Sequence, residues 1–273
     1  MSRRFPIAAL CAALSLAGCQ QVNTTSGGAV GVERKQYMFS MLSSQQVDQM
    51  YAQSYQKTLG EASQAGKLDT ASADAQRVKA IAARLIPQTG AFRQDAPGWQ
   101  WEVNVVKSDE LNANCGPGGK IIFYTGLIDQ LKLSDDEIAA VMGHEIAHAL
   151  REHGREQMSR AYAVQMGENL GGSLLGMGQD SLKLADQVVQ YSLTLPNSRQ
   201  NETEADLIGL ELAARAGYNP NAALTLWQKM SQAGGDAPPE LLSTHPADST
   251  RMATLQAAIP KVMPLYEQAG GRG

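Results

Sequence analysis

The chain has 273 residues, of which 43% are hydrophobic and 18% charged, and its formal net charge is −4. This length predicts one large domain, or one domain with a small appendage. The acidic balance and the lack of a basic patch argue against a nucleic-acid partner.

The N-terminus predicts export. Arg3 and Arg4 precede an apolar run over residues 5–18, which is too short to span a bilayer, so residues 1–18 are interpreted as a cleaved signal peptide. The run ends in Leu-Ala-Gly followed by Cys19, which resembles a bacterial lipobox. A lipid on Cys19 would anchor the mature chain to a membrane. Gln20 then favours the outer membrane, facing the periplasm.

The alternative is an ordinary signal peptide with an unmodified cysteine. Cys19 and Cys115 could then form a disulfide, whereas lipidation of Cys19 leaves Cys115 alone. We interpret Cys115 as a small buried hydrophobe. Residues 19–42 are predicted to be the lipidated N-terminus and a flexible tether, because Ser, Thr and Gly are frequent and no periodicity is present.

Helical spacing of apolar residues predicts scaffold helices over residues 43–64 and 73–86, the second ended by Pro87. Alternation over residues 101–106 predicts a strand. Residues 112–115 and 120–125 flank a Gly-Pro-Gly-Gly turn and predict a hairpin. Such a hairpin is either a plain structural element or an edge on which an extended substrate docks as an added strand.

The segment His-Glu-Ile-Ala-His at residues 144–148 is the strongest motif. A capping box from Ser134 to Glu137 and an apolar stripe predict a buried helix here. Successive helical residues turn by about 100°, so His144 and His148 share one face and can hold one metal ion. Glu145 can project beside the ion toward the attacking water.

Residues 161–178 are apolar but contain polar residues and several glycines, so they do not predict a transmembrane span. They are either a closely packed helix or a lid over a cleft. A later helix is predicted to start near Ser198 and a last one after His245.

A catalytic zinc site needs a third protein ligand. His153 points about 140° away from His148 on a continuous helix and is interpreted as a surface or helix-end residue. The third ligand is therefore expected to be Glu202 or Glu204 on the later helix. Asp206 favours Glu202, because it lies one turn further on the same face and could support the ring of His144 or His148.

Four motifs in order resemble the HtpX/CaaX-protease-like gluzincin family of zinc metallopeptidases, and most closely its soluble bacterial lipoprotein branch. They are HEIAH, the S-R-x-x-E-x-E-A-D segment from Ser198 to Asp206, the hairpin before HEIAH, and the H-P-x-x-x-x-R end from His245 to Arg251. The resemblance covers about residues 43–259. It implies an α+β fold, namely a mainly helical zincin-like domain over residues 43–269 with a small β-sheet beside the HEIAH helix.

By the same resemblance, one zinc ion is held by His144, His148 and Glu202. Glu145 is the general base, and His245 helps to stabilise the oxyanion. The expected substrates are unfolded or damaged cell-envelope proteins, with outer-membrane assembly proteins as further partners. The alternative function is a chaperone or assembly scaffold with structural zinc, but a structural zinc site has no use for Glu145.

Overall fold

The fold consists of a four-stranded mixed sheet with helices packed on both faces. The computed structural model describes residues 19–40, 42–169, 197–233, 240–245 and 249–271. The strands are β1 (Cys19–Val22), β2 (Gln36–Phe39), β3 (Leu68–Asp69), β4 (Glu102–Val106), β5 (Ala113–Gly116) and β6 (Lys120–Tyr124). The helices are α1 (Ser44–Gln64), α2 (Ala73–Leu85), α3 (Thr125–Leu131), α4 (Asp135–Leu150), α5 (His153–Asn169), α6 (Arg199–Arg215), α7 (Ala222–Ala233), α8 (Glu240–Thr244) and α9 (Ser249–Gln268).

This architecture confirms the predicted α+β class, mainly helical with a small sheet. The two scaffold helices and the hairpin were also predicted correctly. The signal peptide and half of the glycine-rich stretch, residues 170–178, lie outside the described residues. Among the helices that are described, none has the length and apolar character needed to cross a membrane.

The sheet has the strand order β3-β4-β6-β5, which makes β5 one of its edges. β4 runs parallel to β6, and β5 runs antiparallel to it, with Cys115 opposite Ile121. Alternation along β6 divides the core. Ile121 and Phe123 belong to the main buried cluster with α2 and α4, whereas Ile122 packs with Tyr51 and Tyr55 of α1.

Capping fixes where α4 begins. The Ser134 side chain accepts a hydrogen bond from the Glu137 N–H, and the Glu137 side chain accepts one from the Ser134 N–H. The helix then runs through the core beside β5 and ends at Leu150. A positive φ of 50° at Glu152 breaks the chain direction before α5. The HEIAH residues therefore lie in the last two turns of a buried helix.

Helices α4 and α6 approach each other closely at two glycines. A Cβ atom added at Gly209 would lie 2.6 Å from the backbone N of His144, and one added at Gly143 would lie 2.7 Å from the Gly209 carbonyl oxygen. Only glycine permits this approach of two backbones. The contact sets the distance between the side chains that the two helices carry.

We expect Gly209→Ala to lower the free energy of unfolding by about 1–3 kcal/mol, because the added methyl group meets backbone atoms that cannot move aside. Urea denaturation measures the change. Gly60→Ala in α1 is the matched control, since nothing lies within 4 Å of its added Cβ atom. That variant should gain about 0.5–1 kcal/mol, because alanine favours a helix over glycine. Unchanged stability of Gly209→Ala would contradict the rigid contact.

The N-terminal segment, residues 20–40, differs from the flexible tether that its composition predicts. Its Val30 and Val32 side chains are buried in the main core. The Val30 N–H donates to the Glu211 carboxylate at 3.0 Å, and the Gln36 side-chain amide donates to the Arg151 carbonyl oxygen at 2.7 Å. These contacts join residues more than a hundred positions apart, so no local periodicity announces them.

Candidate metal centre

Helix α4 supplies three buried side chains to one site. His144, Glu145 and His148 are 5%, 4% and 9% exposed. The Nε2 atoms of His144 and His148 lie 3.1 Å apart, as expected for residues one turn apart on one face. Both rings therefore direct a nitrogen at the same point.

Helix α6 brings a carboxylate to that point. The Glu202 oxygens lie 3.5 Å from His144 Nε2 and 3.4 Å from His148 Nε2. One turn further on, Asp206 accepts a hydrogen bond from Nδ1 of His144 at 3.0 Å. The structure thus places Glu202 and Asp206 beside the HEIAH histidines, with Asp206 at His144 rather than at His148.

His245, which follows α8, completes the cluster. Its Nδ1 atom lies 2.9 Å from Glu202 Oε1 and 3.2 Å from His144 Nε2, and its Nε2 atom lies 3.6 Å from Glu145 Oε1. The ligand atoms of His144, His148, Glu202 and His245 all lie within 4.8 Å of one another. The resemblance implied that His245 acts on the substrate, and nothing in the sequence showed how close its ring comes to His144, His148 and Glu202.

The donor set fits zinc. Asp206 can only accept a hydrogen bond when ionised, so Nδ1 of His144 carries the ring proton and Nε2 holds a lone pair. That lone pair faces the Nε2 of His148 at 3.1 Å and the Nδ1 of His245 at 3.2 Å. Three imidazole nitrogens and a carboxylate oxygen around one buried point are the donors that Zn²⁺ binds.

Burial and nearby charges favour the protonation states of His148 and Glu202 that can bind a metal ion. Burial lowers the pKa of His148 well below its ordinary value, against the opposing influence of Glu202. Burial raises the pKa of Glu202, but His245, His144 and His148 outweigh it and hold that pKa well below its usual range. A neutral imidazole and an ionised carboxylate are the forms that bind a metal.

Glu145 has the environment of a base rather than of a ligand. Burial raises the pKa of Glu145 above its ordinary value, against the lowering influence of His245 and His144. Its Oε1 atom is buried and makes no hydrogen bond to any described residue. This oxygen is therefore available to accept a proton.

Arg251 of α9 holds the two carboxylates of α6 in place. It donates to both oxygens of Asp206 at 2.7 Å and lies 2.8 Å from Glu202 Oε2. Its guanidinium also stacks over the Trp227 ring, 4.0 Å from the centroid. The H-P-x-x-x-x-R spacing drew attention to this arginine, but nothing in the sequence gave its role.

His153 was interpreted as a surface or helix-end residue; it begins α5, but the surface alternative was wrong. His153 is 1% exposed, and its Nδ1 atom lies 2.8 Å from Nδ1 of His148. Its Nε2 atom lies 3.3 Å from Glu204, the other carboxylate that was considered as the third ligand. The chain contains four histidines, and all of them lie in this cluster or in contact with it.

A cleft of about 180 Å³ opens beside the cluster. Its described walls include β5 and the following turn on one side and Glu145, His148 and His245 on the other. Tyr51 of α1 also lines the cleft, and its hydroxyl donates to the Asn114 side chain at 3.0 Å. Cys115 is a free, buried thiol in the wall strand, as its interpretation as a small hydrophobe requires.

Comparisons with known proteins point the same way. The model of peptidase family M48 matches residues 72–259. The mitochondrial metalloendopeptidase OMA1 of Arabidopsis thaliana is 40% identical over 183 residues, which cover 64% of this chain and 36% of the relative. Human OMA1 is 35% identical over 191 residues, with 64% and 36% covered. The beta-barrel assembly-enhancing protease of Escherichia coli K12 is 30% identical over 176 residues, with 60% and 36% covered.

The matched region thus spans little more than a third of the length of these three relatives. The family match itself covers well over half of this chain and contains both the HEIAH helix and the helix that bears Glu202. The His144, His148, Glu202 and His245 cluster is the zinc-binding site typical of that family. The chain belongs to peptidase family M48.

Proposed function

We propose that this chain is a zinc-dependent endopeptidase that cleaves unfolded or damaged proteins of the cell envelope. One observation carries the proposal. A buried metal centre of His144, His148 and Glu202 lies beside an unpaired oxygen of Glu145 at the wall of an open cleft. A purely structural zinc site needs neither the cleft nor the base.

Zinc, when bound, polarises the scissile carbonyl and lowers the pKa of water at the site. Glu145 accepts the proton of the attacking water and passes it to the leaving amine, which its raised pKa favours. His144, His148 and Glu202 would hold the ion. Catalysis needs an open position at the ion, so we assign His245 to the substrate, where its ring stabilises the negative charge on the carbonyl oxygen.

Strand β5 provides the proposed docking edge for the substrate. It is the outer strand of the four-stranded sheet on the side next to α4, and it forms a wall of the cleft that contains Glu145. An extended peptide can pair with such an edge through its main chain. Recognition of main chain favours segments that are not folded and tolerates many side-chain sequences.

The proposed location is the bacterial cell envelope, with a lipid on Cys19 as the membrane anchor and the outer membrane as the site. The Leu-Ala-Gly-Cys ending supports lipidation, and Gln20 supports sorting to the outer membrane. Lipidation of Cys19 would agree with the lipoprotein branch that the motifs resemble. The name of the Escherichia coli relative, a beta-barrel assembly-enhancing protease, supports envelope substrates and outer-membrane assembly partners.

Removal of zinc tests the function. Treatment of the purified chain with a chelator should abolish cleavage of an unfolded reporter protein, such as reduced and alkylated lactalbumin, and addition of zinc should restore it. The same samples are assayed for metal content and for suppression of reporter aggregation. Suppressed aggregation without cleavage in the zinc-loaded protein would refute the protease proposal and support the chaperone alternative.

A further inference from the structure

His153 occupies a position that the proposed chemistry does not use. It begins α5, just after the break at Glu152, and is buried against His148 on one side and Glu204 on the other. We propose that His153 is a positioning residue for the metal centre. It fixes the orientation of the His148 ring and the position of the proton on that ring. The proposal rests on the zinc centre described above and adds a relay that runs from Glu204 through His153 to His148.

The positions of the protons follow from the contacts. His148 directs Nε2 at the other ligand atoms, so that nitrogen must keep its lone pair and Nδ1 must carry the proton. The Nδ1 atoms of His148 and His153 lie 2.8 Å apart, a distance at which one proton is shared. Nδ1 of His153 is therefore the acceptor. The remaining nitrogen of His153, Nε2, then carries its proton and faces the Glu204 carboxylate at 3.3 Å.

Glu204 is itself fixed at the outer end of the relay. Nε of Arg151 donates to Glu204 Oε2 at 2.8 Å, and Arg34 forms an ion pair with the other oxygen. Arg151 is fully buried and also donates to the Arg34 carbonyl oxygen at 2.9 Å. These arginines keep the Glu204 carboxylate ionised and oriented as an acceptor.

The arrangement parallels the support of the other ligand histidine. His144 donates directly to Asp206, which Arg251 holds, whereas His148 reaches its carboxylate through the interposed ring of His153. Both carboxylates come from α6, two residues apart, and so face different sides of that helix. Partners of this kind set the orientation and basicity of ligating histidines, and their loss commonly weakens metal binding about 10–100-fold.

The zinc dissociation constant, measured by competition with a chromophoric chelator, tests the proposal. His153→Leu removes the acceptor and should weaken zinc binding about 10–100-fold. His153→Asn retains an acceptor oxygen near the position of Nδ1, and its dissociation constant should return most of the way to that of the unsubstituted chain. Zinc binding is measured without substrate, so the result does not depend on proteolysis.

Glu156→Gln is the matched control. Glu156 is fully buried and bonded to Arg34 and Gln36 in the same ionic network, but it is not part of the relay. It should lower the stability of the zinc-free protein, measured by urea unfolding, and leave the zinc dissociation constant unchanged. Equal zinc binding by His153→Leu and the unsubstituted chain would overturn the proposal, as would equal losses in the His153→Leu, His153→Asn and Glu156→Gln proteins. Failure of the unsubstituted chain to bind zinc would instead refute the zinc centre itself.

Discussion

Glu145→Gln is expected to reduce the rate of proteolysis by about a thousandfold at saturating zinc, within the range of about 10²–10⁴ that general base catalysis contributes. An amide has nearly the shape of the carboxylate but cannot accept the proton of the attacking water. The Oε1 atom of Glu145 makes no hydrogen bond to a described residue, and it faces Nε2 of His245 at 3.6 Å, so the amide removes few contacts besides the base itself. The rate is measured on a fluorescently labelled unfolded protein.

Asp48→Asn is the matched control for this prediction. Asp48 lines the same cleft, and burial, together with the nearby Glu152 charge, raises the pKa of Asp48 to about 6. Its replacement by an amide removes a carboxylate from the cleft but not the base, so the rate at pH 7 should stay close to that of the unsubstituted chain. A Glu145→Gln protein that binds zinc and cleaves normally would mean that another group takes the proton.

Glu204→Gln is expected to lower the free energy of unfolding of the zinc-free protein by about 3–5 kcal/mol at pH 7. The substitution leaves the buried guanidinium of Arg151 without its carboxylate. The cost of removing the Arg151 charge from water is then no longer offset by an ion pair. Glu267→Gln, on the exposed side of α9, is the control and should change stability by less than about 0.5 kcal/mol.

The effect of Glu204→Gln should also depend on pH. Burial raises the pKa of Glu204, but His153, Arg34 and Arg151 outweigh it and lower the pKa from the ordinary 4.5 to about 2. A carboxylate with a depressed pKa in the folded state stabilises the fold fully above pH 4.5, and this contribution is lost as the pH falls toward 2. The stability gap between the two proteins, measured by urea unfolding, should therefore narrow below pH 4.5. A gap that is constant from pH 7 to pH 3 would show that the charge is not what stabilises the network.

Local patterns carried the correct predictions. The capping box at Ser134 and the apolar stripe predicted α4, and the i,i+4 spacing predicted that His144 and His148 share a face. The same spacing predicted that Glu202 and Asp206 share one face of α6. In each case all the information lies within one or two helical turns, where backbone geometry fixes the relative direction of side chains.

His153 shows where such reasoning fails. Its predicted direction assumed that the HEIAH helix continues past residue 150, but the chain turns at Glu152, which has a φ of 50°, and restarts as α5. The turn brings His153 back against His148. Nothing local in the sequence marks it, because Glu152 is held by distant partners, Arg93 and Ser44, as well as by Arg155. The buried path of residues 20–40 escaped prediction for the same reason.

The path of the N-terminal segment has a consequence for the proposed anchor. Cys19 begins β1, where it pairs with Phe39, and Asn23 already contacts Arg151 next to the metal centre. Four residues of extended chain reach at most about 14 Å. A lipid on Cys19 would therefore hold the domain close to the bilayer surface, whereas a long flexible tether would let it move away. Such an enzyme would meet its substrates at the membrane surface.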